Sequence, residues 1–193
     1  MKRIIKSTNS RILEENLRYL KGNSINNALI REILIEEQQG FCAYTESRIE
    51  STDAIDIEHF NEKLKYIPED NYENWYAVGH KWNNKYKKPY CLPIINPHDN
   101  DVESRIWYDI PTGIYMYDSE DIAAKNLVDI IGLNDGNLPK ARIDHIKLIE
   151  DLYLNLDNSG LIDWLQNPVS KLQLIEFRRA METAFNIDLT TVF

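Results

Sequence analysis

Two adjacent side chains able to do acid–base or metal chemistry, Glu58 and His59, close a short run of alternating apolar and polar residues, IDIEH. Asn74 follows fifteen residues after His59, and Asn83 nine residues after that, where a lysine-rich patch opens. Hydrolysing a phosphodiester needs an activated water, charge stabilisation on the phosphoryl oxygens and help for the departing 3′ oxygen. One hard divalent ion can supply the last two as Lewis acid and template. Such an ion takes oxygen ligands, and magnesium keeps several waters. A minimal site is therefore one imidazole with two oxygen ligands. A neutral imidazole serves as general base near neutral pH, and His59 suits that role. Glu58 and Asn83 would hold Mg2+ or Mn2+, and Asn74 would fix the loop that positions His59. Lys81, Lys85, Lys87 and Lys88 put four positive charges into eight residues where a phosphate would sit. This pattern predicts that Glu58 and Asn83 converge within metal reach while His59 faces a water or phosphate position.

Each residue also has a plainer reading. A lone histidine on an apolar strand is more often a core residue bonded to a neighbour. Two asparagines before a lysine run commonly make a turn or a helix cap. His80, His98 and His145 read as structural or solvated. The weight rests on the conjunction at fixed spacing within a strand–loop–helix context.

The elements that must position these residues follow from period and punctuation. The residues Arg3-Ile4-Ile5 read as an edge strand or a packed arm. Ser10 can cap a helix over 10–21, with Ile12, Leu13, Leu17 and Leu20 at helical spacing and Gly22 just beyond. A second helix is expected over 25–39, stopped by Gly40. Residues 41–44 and 55–60 are short and strand-like, and in the second Ile55, Ile57 and His59 share one face while Asp56 and Glu58 share the other. Residues 61–74 read as a polar loop, and 83–88 as a short helix ended by Pro89. The proline-rich run 89–97 predicts an extended, buried, unpaired stretch. Residues 105–117 predict a hairpin around Pro111-Thr112-Gly113. Helices are expected over 121–131, over 138–156 capped by Asn137, and over 161–165 capped by Ser159. A last helix capped by Asn167, with Pro168 at its first position, would be buried through Leu172, Ile175, Phe177, Met181 and Phe185. The fold class expected is α+β, mainly helical, with a small ββα-metal core over 41–88 embedded among helices and a helical part over 121–193.

The chain has 193 residues, 43% hydrophobic and 27% charged, which fits one domain over 1–193 with a sizeable core. The basic opening MKRIIKSTNS lacks the apolar stretch of a signal peptide, and no run of about 18 apolar residues exists. A cytoplasmic protein without a membrane partner is expected. Cys42 and Cys91 cannot build a disulfide framework. The formal net charge of −9 opposes autonomous binding of DNA through phosphate neutralisation, although a local basic patch or a partner can supply the positive field.

At these residues the chain resembles the HNH endonucleases, and more narrowly those of Septu-type and retron-associated anti-phage defence systems. The opening MKRIIKS, the run LIEEQQGFCAYTESRIE, the IEHF box and the later NLVDIIGLNDGNLPKAR carry the resemblance. It implies a ββα-metal core, metal-dependent cutting of nucleic acid and a partner ATPase of the ABC/SMC-like kind. In retron systems a reverse transcriptase and its DNA also join. The resemblance puts the family's glutamate–histidine box on Glu58-His59, its middle asparagine on Asn74 and its last ligand on Asn83, with Asn84 the alternative. Many members brace this core with zinc held by two cysteine pairs. Those positions fall at Cys42 and Thr45, and at Gly79 and Trp82, so no structural zinc is expected. Trp82, with Tyr44 and Trp75, would form an aromatic plug instead.

Two readings follow. One is a DNA endonuclease acting as a defence effector under a partner ATPase. The other is a catalytically inactive, HNH-derived interaction subunit whose helices from Leu138 onward dock the partner. Neither a nucleophile motif, a glycine-rich phosphate loop nor a cofactor fingerprint supports a different enzyme.

Overall fold

A computed structural model describes residues 1–154, 160–163 and 174–191. The architecture is α+β, with helices around two separate two-stranded antiparallel sheets. Helix α1 spans Arg11–Glu14, and the Ser10 hydroxyl accepts from Ile12 N as its cap. It is shorter than expected because Asn16 turns left-handed at φ 49°, a conformation asparagine tolerates. The chain that would have continued the helix becomes a loop carrying Tyr19. Helix α2 spans Ser24–Glu37, capped by Asn23 and stopped where Gly40 sits at φ 75°. Its apolar stripe, Ile30, Ile33 and Leu34, is buried.

Residues 41–44 do not form the expected strand. Cys42 N donates to Ser47 O and Glu46 N to Cys42 O, so the chain folds back on itself and leaves only a bridge between Phe41 and Arg48. The polar Thr45-Glu46-Ser47 turn arrives too soon for a ladder to grow. Strand β1, Ile55–His59, pairs instead with β2, Trp75–Gly79, across the 61–74 loop. His59 lies opposite Trp75 and Ile55 opposite Gly79. Both faces of β2 are buried: Trp75 and Ala77 pack with α2, and Tyr76 and Val78 with the larger core. This explains its run of apolar residues without clean alternation.

Helix α3 spans His80–Lys85, starting directly from β2 and three residues earlier than expected. Residues 91–93 are exposed, so the proline-rich run is buried only toward Ile95 and Pro97. Helix α4, Val102–Arg105, leads into the predicted hairpin of β3, Ile106–Asp109, and β4, Ile114–Tyr117. Its turn needs Gly113, because a Cβ there would lie 2.3 Å from Pro139 O at a φ of +71°. Helix α5, Ile122–Ile131, is capped by Asp121 and ended by Gly132 in the left-handed conformation. Helix α6, Leu138–Tyr153, has a proline in its first turn. Helix α7 spans Arg178–Phe185, so Ile175 and Phe177 are buried ahead of it rather than within it. The expected caps Ser159 and Asn167, with Leu165, Pro168 and Leu172, lie outside the described residues. Among the described residues no helix is long and apolar enough to cross a membrane.

Candidate active site

The strand β1, the loop after it, β2 and α3 bring most of the singled-out residues into one region, but on two faces. In a β-strand successive side chains point to opposite sides. Glu58 and His59, adjacent at the end of β1, are therefore turned apart.

On the Glu58 face, the carboxylate is 3% exposed and meets the ammonium of Lys87. Lys87 Nζ also donates to the backbone oxygen of His59 at 2.7 Å and lies 3.6 Å from Glu62. The Tyr44 hydroxyl donates to Glu58 Oε1 at 3.4 Å. Burial pushes the Glu58 carboxyl up, and the neighbouring Lys87 only partly offsets it. Two residues back on the same face, Asp56 accepts from Asn83 Nδ2 at 3.1 Å and contacts His80 Nδ1 at 3.0 Å. The Asn84 amide nitrogen lies 3.1 Å from the same His80 nitrogen.

On the other face, His59 is 2% exposed, and its Nε2 lies 3.1 Å from Asp70 Oδ2. The contact is close, yet its alignment falls short of a hydrogen bond. Asp70 Oδ1 accepts from Asn74 Nδ2 at 2.9 Å and from Trp75 Nε1 at 2.7 Å. Burial alone would raise the Asp70 carboxyl, but His59, Asn74 and Trp75 outweigh it and hold it below the usual range. Asn74 Oδ1 also accepts from Asn61 N at 2.8 Å, and Nδ2 donates to Asn61 O at 3.2 Å. Asn74 thus pins both ends of the loop onto β1 and β2. The Tyr19 ring stands edge-on to His59 with centroids 4.6 Å apart, and Tyr66 stacks outside it at 5.7 Å.

The expected convergence is therefore divided. Asn83 faces Asp56 rather than Glu58, because α3 begins at His80 and carries Asn83 back along β1. Lys87 lies beyond the end of α3, where the chain folds over the strand, and takes the place at Glu58. Its side chain is only 9% exposed, unlike the solvent-facing substrate lysine expected; Lys81, Lys85 and Lys88 are exposed. His59 faces Asp70 and Tyr19 rather than an open position. Reading the sequence missed Asp70, Asp56 and Tyr19. Asp70 is an acidic residue in a polar loop, and only its place four residues before Asn74 gives a hint.

The four positions of the two cysteine pairs do come together. Cys42, Thr45, Gly79 and Trp82 line one open cavity of about 330 Å3, and Gly79 N approaches Cys42 Sγ at 3.5 Å. The expected aromatic plug does not form as one cluster. Trp82 stacks on Tyr86 and donates to Ile131 O at 2.7 Å. Tyr44 packs with Tyr76 in the larger core, and Trp75 lies in the cluster under α2.

A hard divalent ion matches the donor chemistry of the Glu58 face: two carboxylates, Asp56 and Glu58, and the amide oxygen of Asn83. Among the described residues no three His, Cys, Asp or Glu side chains converge, so an ion there would rely on amide and water oxygens. It would also require Lys87 to withdraw from Glu58. Searches against family models, curated proteins and solved structures returned no match to this chain.

Proposed function

We propose that this chain is an HNH-type endonuclease that hydrolyses phosphodiester bonds of DNA with Mg2+ or Mn2+. The observation that carries the reading is the strand–loop–strand–helix unit from β1 to α3. Glu58-His59 ends its first strand, Asn74 pins its loop, and Asn83 looks from its helix onto the first strand. The shared cavity of Cys42, Thr45, Gly79 and Trp82 supports the same reading, since those positions were assigned together from the resemblance alone.

In this reading Glu58 and Asn83 hold the ion, with Asp56 beside them. The ion, when bound, acts as a Lewis acid on the phosphoryl oxygens and assists the leaving oxygen. His59 would take the proton of the attacking water, which requires its ring to leave Asp70 and Tyr19 and turn to the ion's face of β1. Until then Asp70, kept ionised by the contacts of His59, Asn74 and Trp75, holds the ring in its buried place. Lys87 serves as internal counter-cation to Glu58 before the ion arrives. The acidic balance of the chain fits dependence on a partner, proposed as an ABC/SMC-like ATPase of an anti-phage defence system. A retron reverse transcriptase and its DNA belong to the same proposal.

A second reading, a non-catalytic interaction subunit, is favoured by two particular contacts: Lys87 on Glu58, and His59 buried under Tyr19. Plasmid DNA and a single-stranded oligonucleotide, each incubated with the protein and Mg2+ or Mn2+, with and without its ATPase partner, separate the two. Cutting that EDTA and His59→Ala both abolish supports the nuclease. No cutting under any of these conditions supports the interaction subunit.

A further inference from the structure

Tyr66 is an unusual residue to find with a left-handed backbone, at φ 71°. A bulky side chain there is strained, and such strain persists where the surroundings impose it, often at binding sites. Its ring is half exposed, at 51%. It stacks on Tyr19, which in turn covers His59. Lys65 Nζ sits 5.3 Å from the Tyr66 centroid and 5.4 Å from that of Tyr19. Beside this pair lies an open cavity of about 560 Å3, with Arg18, Lys21 and Asp70 among its lining residues. That volume falls within the range of small-molecule sites, roughly 300–1,000 Å3. In a chain of net charge −9, three cations gather here around two aromatic rings. Of the Asp70 carboxylate, Oδ1 accepts from Asn74 and Trp75, and Oδ2 turns inward to lie 3.1 Å from His59 Nε2.

Exposed aromatic rings bordered by lysine and arginine are the means by which proteins hold unpaired bases, the ring stacking on the base and the cations meeting the backbone. A duplex keeps its bases stacked and offers no free face to Tyr66. We propose that the Tyr19–Tyr66 cavity binds a nucleotide whose base is unpaired, stacked on Tyr66, with Arg18, Lys21 and Lys65 meeting its phosphates. This names the substrate form of the proposed nuclease and rests on that reading for its purpose.

Binding is measured in EDTA, so that cleavage plays no part. Anisotropy of a labelled single-stranded oligonucleotide is compared with a blunt duplex of the same sequence and with a competing mononucleotide. The single strand is expected to bind more tightly than the duplex. Tyr66→Ala should weaken it by about 5- to 150-fold, Tyr66→Phe should restore it, and Arg18→Ala with Lys21→Ala should flatten its salt dependence. Competition by the mononucleotide, with the same variant dependence, would assign the cavity to a free nucleotide and still support it. Equal binding of duplex and single strand, or no change in Tyr66→Ala with its circular dichroism intact, would overturn the proposal. So would no detectable binding of any probe. Tyr66-dependent binding without cutting under any ion would sink the nuclease reading while leaving the cavity assignment in place.

Discussion

Lys87→Met removes the cation that faces buried Glu58 while keeping the length of the side chain. Breaking one partner of a buried pair leaves the other charge uncompensated, which typically costs 3–5 kcal/mol. Protonation sets a ceiling on that cost, because the glutamate can become neutral instead. An ordinary glutamate titrates near 4.3 in the unfolded chain, and each pH unit above it is worth about 1.36 kcal/mol. Neutralising Glu58 in the folded protein therefore costs about 3.7 kcal/mol at pH 7 and about 1 kcal/mol at pH 5. The sign agrees with the upward push that burial gives Glu58 even in the presence of Lys87. A folded-state carboxyl that is raised makes its contribution below the unfolded value and loses it as pH rises through the folded one. Urea unfolding followed by circular dichroism should thus find Lys87→Met destabilised by about 3 kcal/mol at pH 7 and by about 1 kcal/mol at pH 5. Glu58→Gln combined with Lys87→Met should recover most of the loss. If the ammonium holds the place of a divalent ion, Mn2+ at a hundred times its Kd should restore up to about 2.7 kcal/mol to the variant, and less to the wild type. An equal loss at both pH values, or no loss at all, would refute the pairing of Lys87 with Glu58.

Other consequences are narrower. Asn74→Ala leaves Asn61 N without its partner while Asp70 Oδ1 keeps Trp75 Nε1, at about 1–3 kcal/mol for the group left unpaired; hydrogen exchange should accelerate across residues 61–70 while α5 and β4 keep their protection. The bidentate Arg105 guanidinium holds the Asp121 carboxyl down to about 2. Its depressed value means that its stabilisation is present above the unfolded aspartate range, near 3.9, and is lost as pH falls toward 2. Asp121→Asn should therefore flatten the acid limb of the pH–stability curve between about pH 4 and pH 2. Arg142 is fully buried and donates to Gly113 O at 3.1 Å and Leu133 O at 2.7 Å, so Arg142→Ala should cost about 2–4 kcal/mol in the same unfolding assay.

What the sequence revealed follows from how local each signal is. Ser10 and Gly40 mark helix ends through their own backbone preferences, and each stands at the end expected of it, whereas Asn137 precedes its helix as expected but makes no side-chain cap bond. The hairpin over 106–117 was legible from its proline–threonine–glycine turn. The partner of β1 was not, because residues 41–44 and 75–79 are both short and apolar, and only tertiary packing decides which one pairs. The helix over 10–21 was over-read for the same reason: its apolar spacing continues past Asn16, but Tyr19 gains more by covering His59 and Trp75. The side-chain alternation of β1 was read correctly and already placed Glu58 and His59 on opposite faces. Which of four nearby lysines would turn inward to Glu58, and which distant carboxylate would meet His59, depends on how the 61–74 loop closes. That closure leaves no periodic trace.

Strand scission by His59→Ala compared with wild type, at saturating Mn2+ and with Mn2+ binding measured on both, tests the central claim most directly. Removing a general base should slow cutting by about 100- to 10,000-fold while the ion still binds. Cutting at the wild-type rate by His59→Ala would contradict the account.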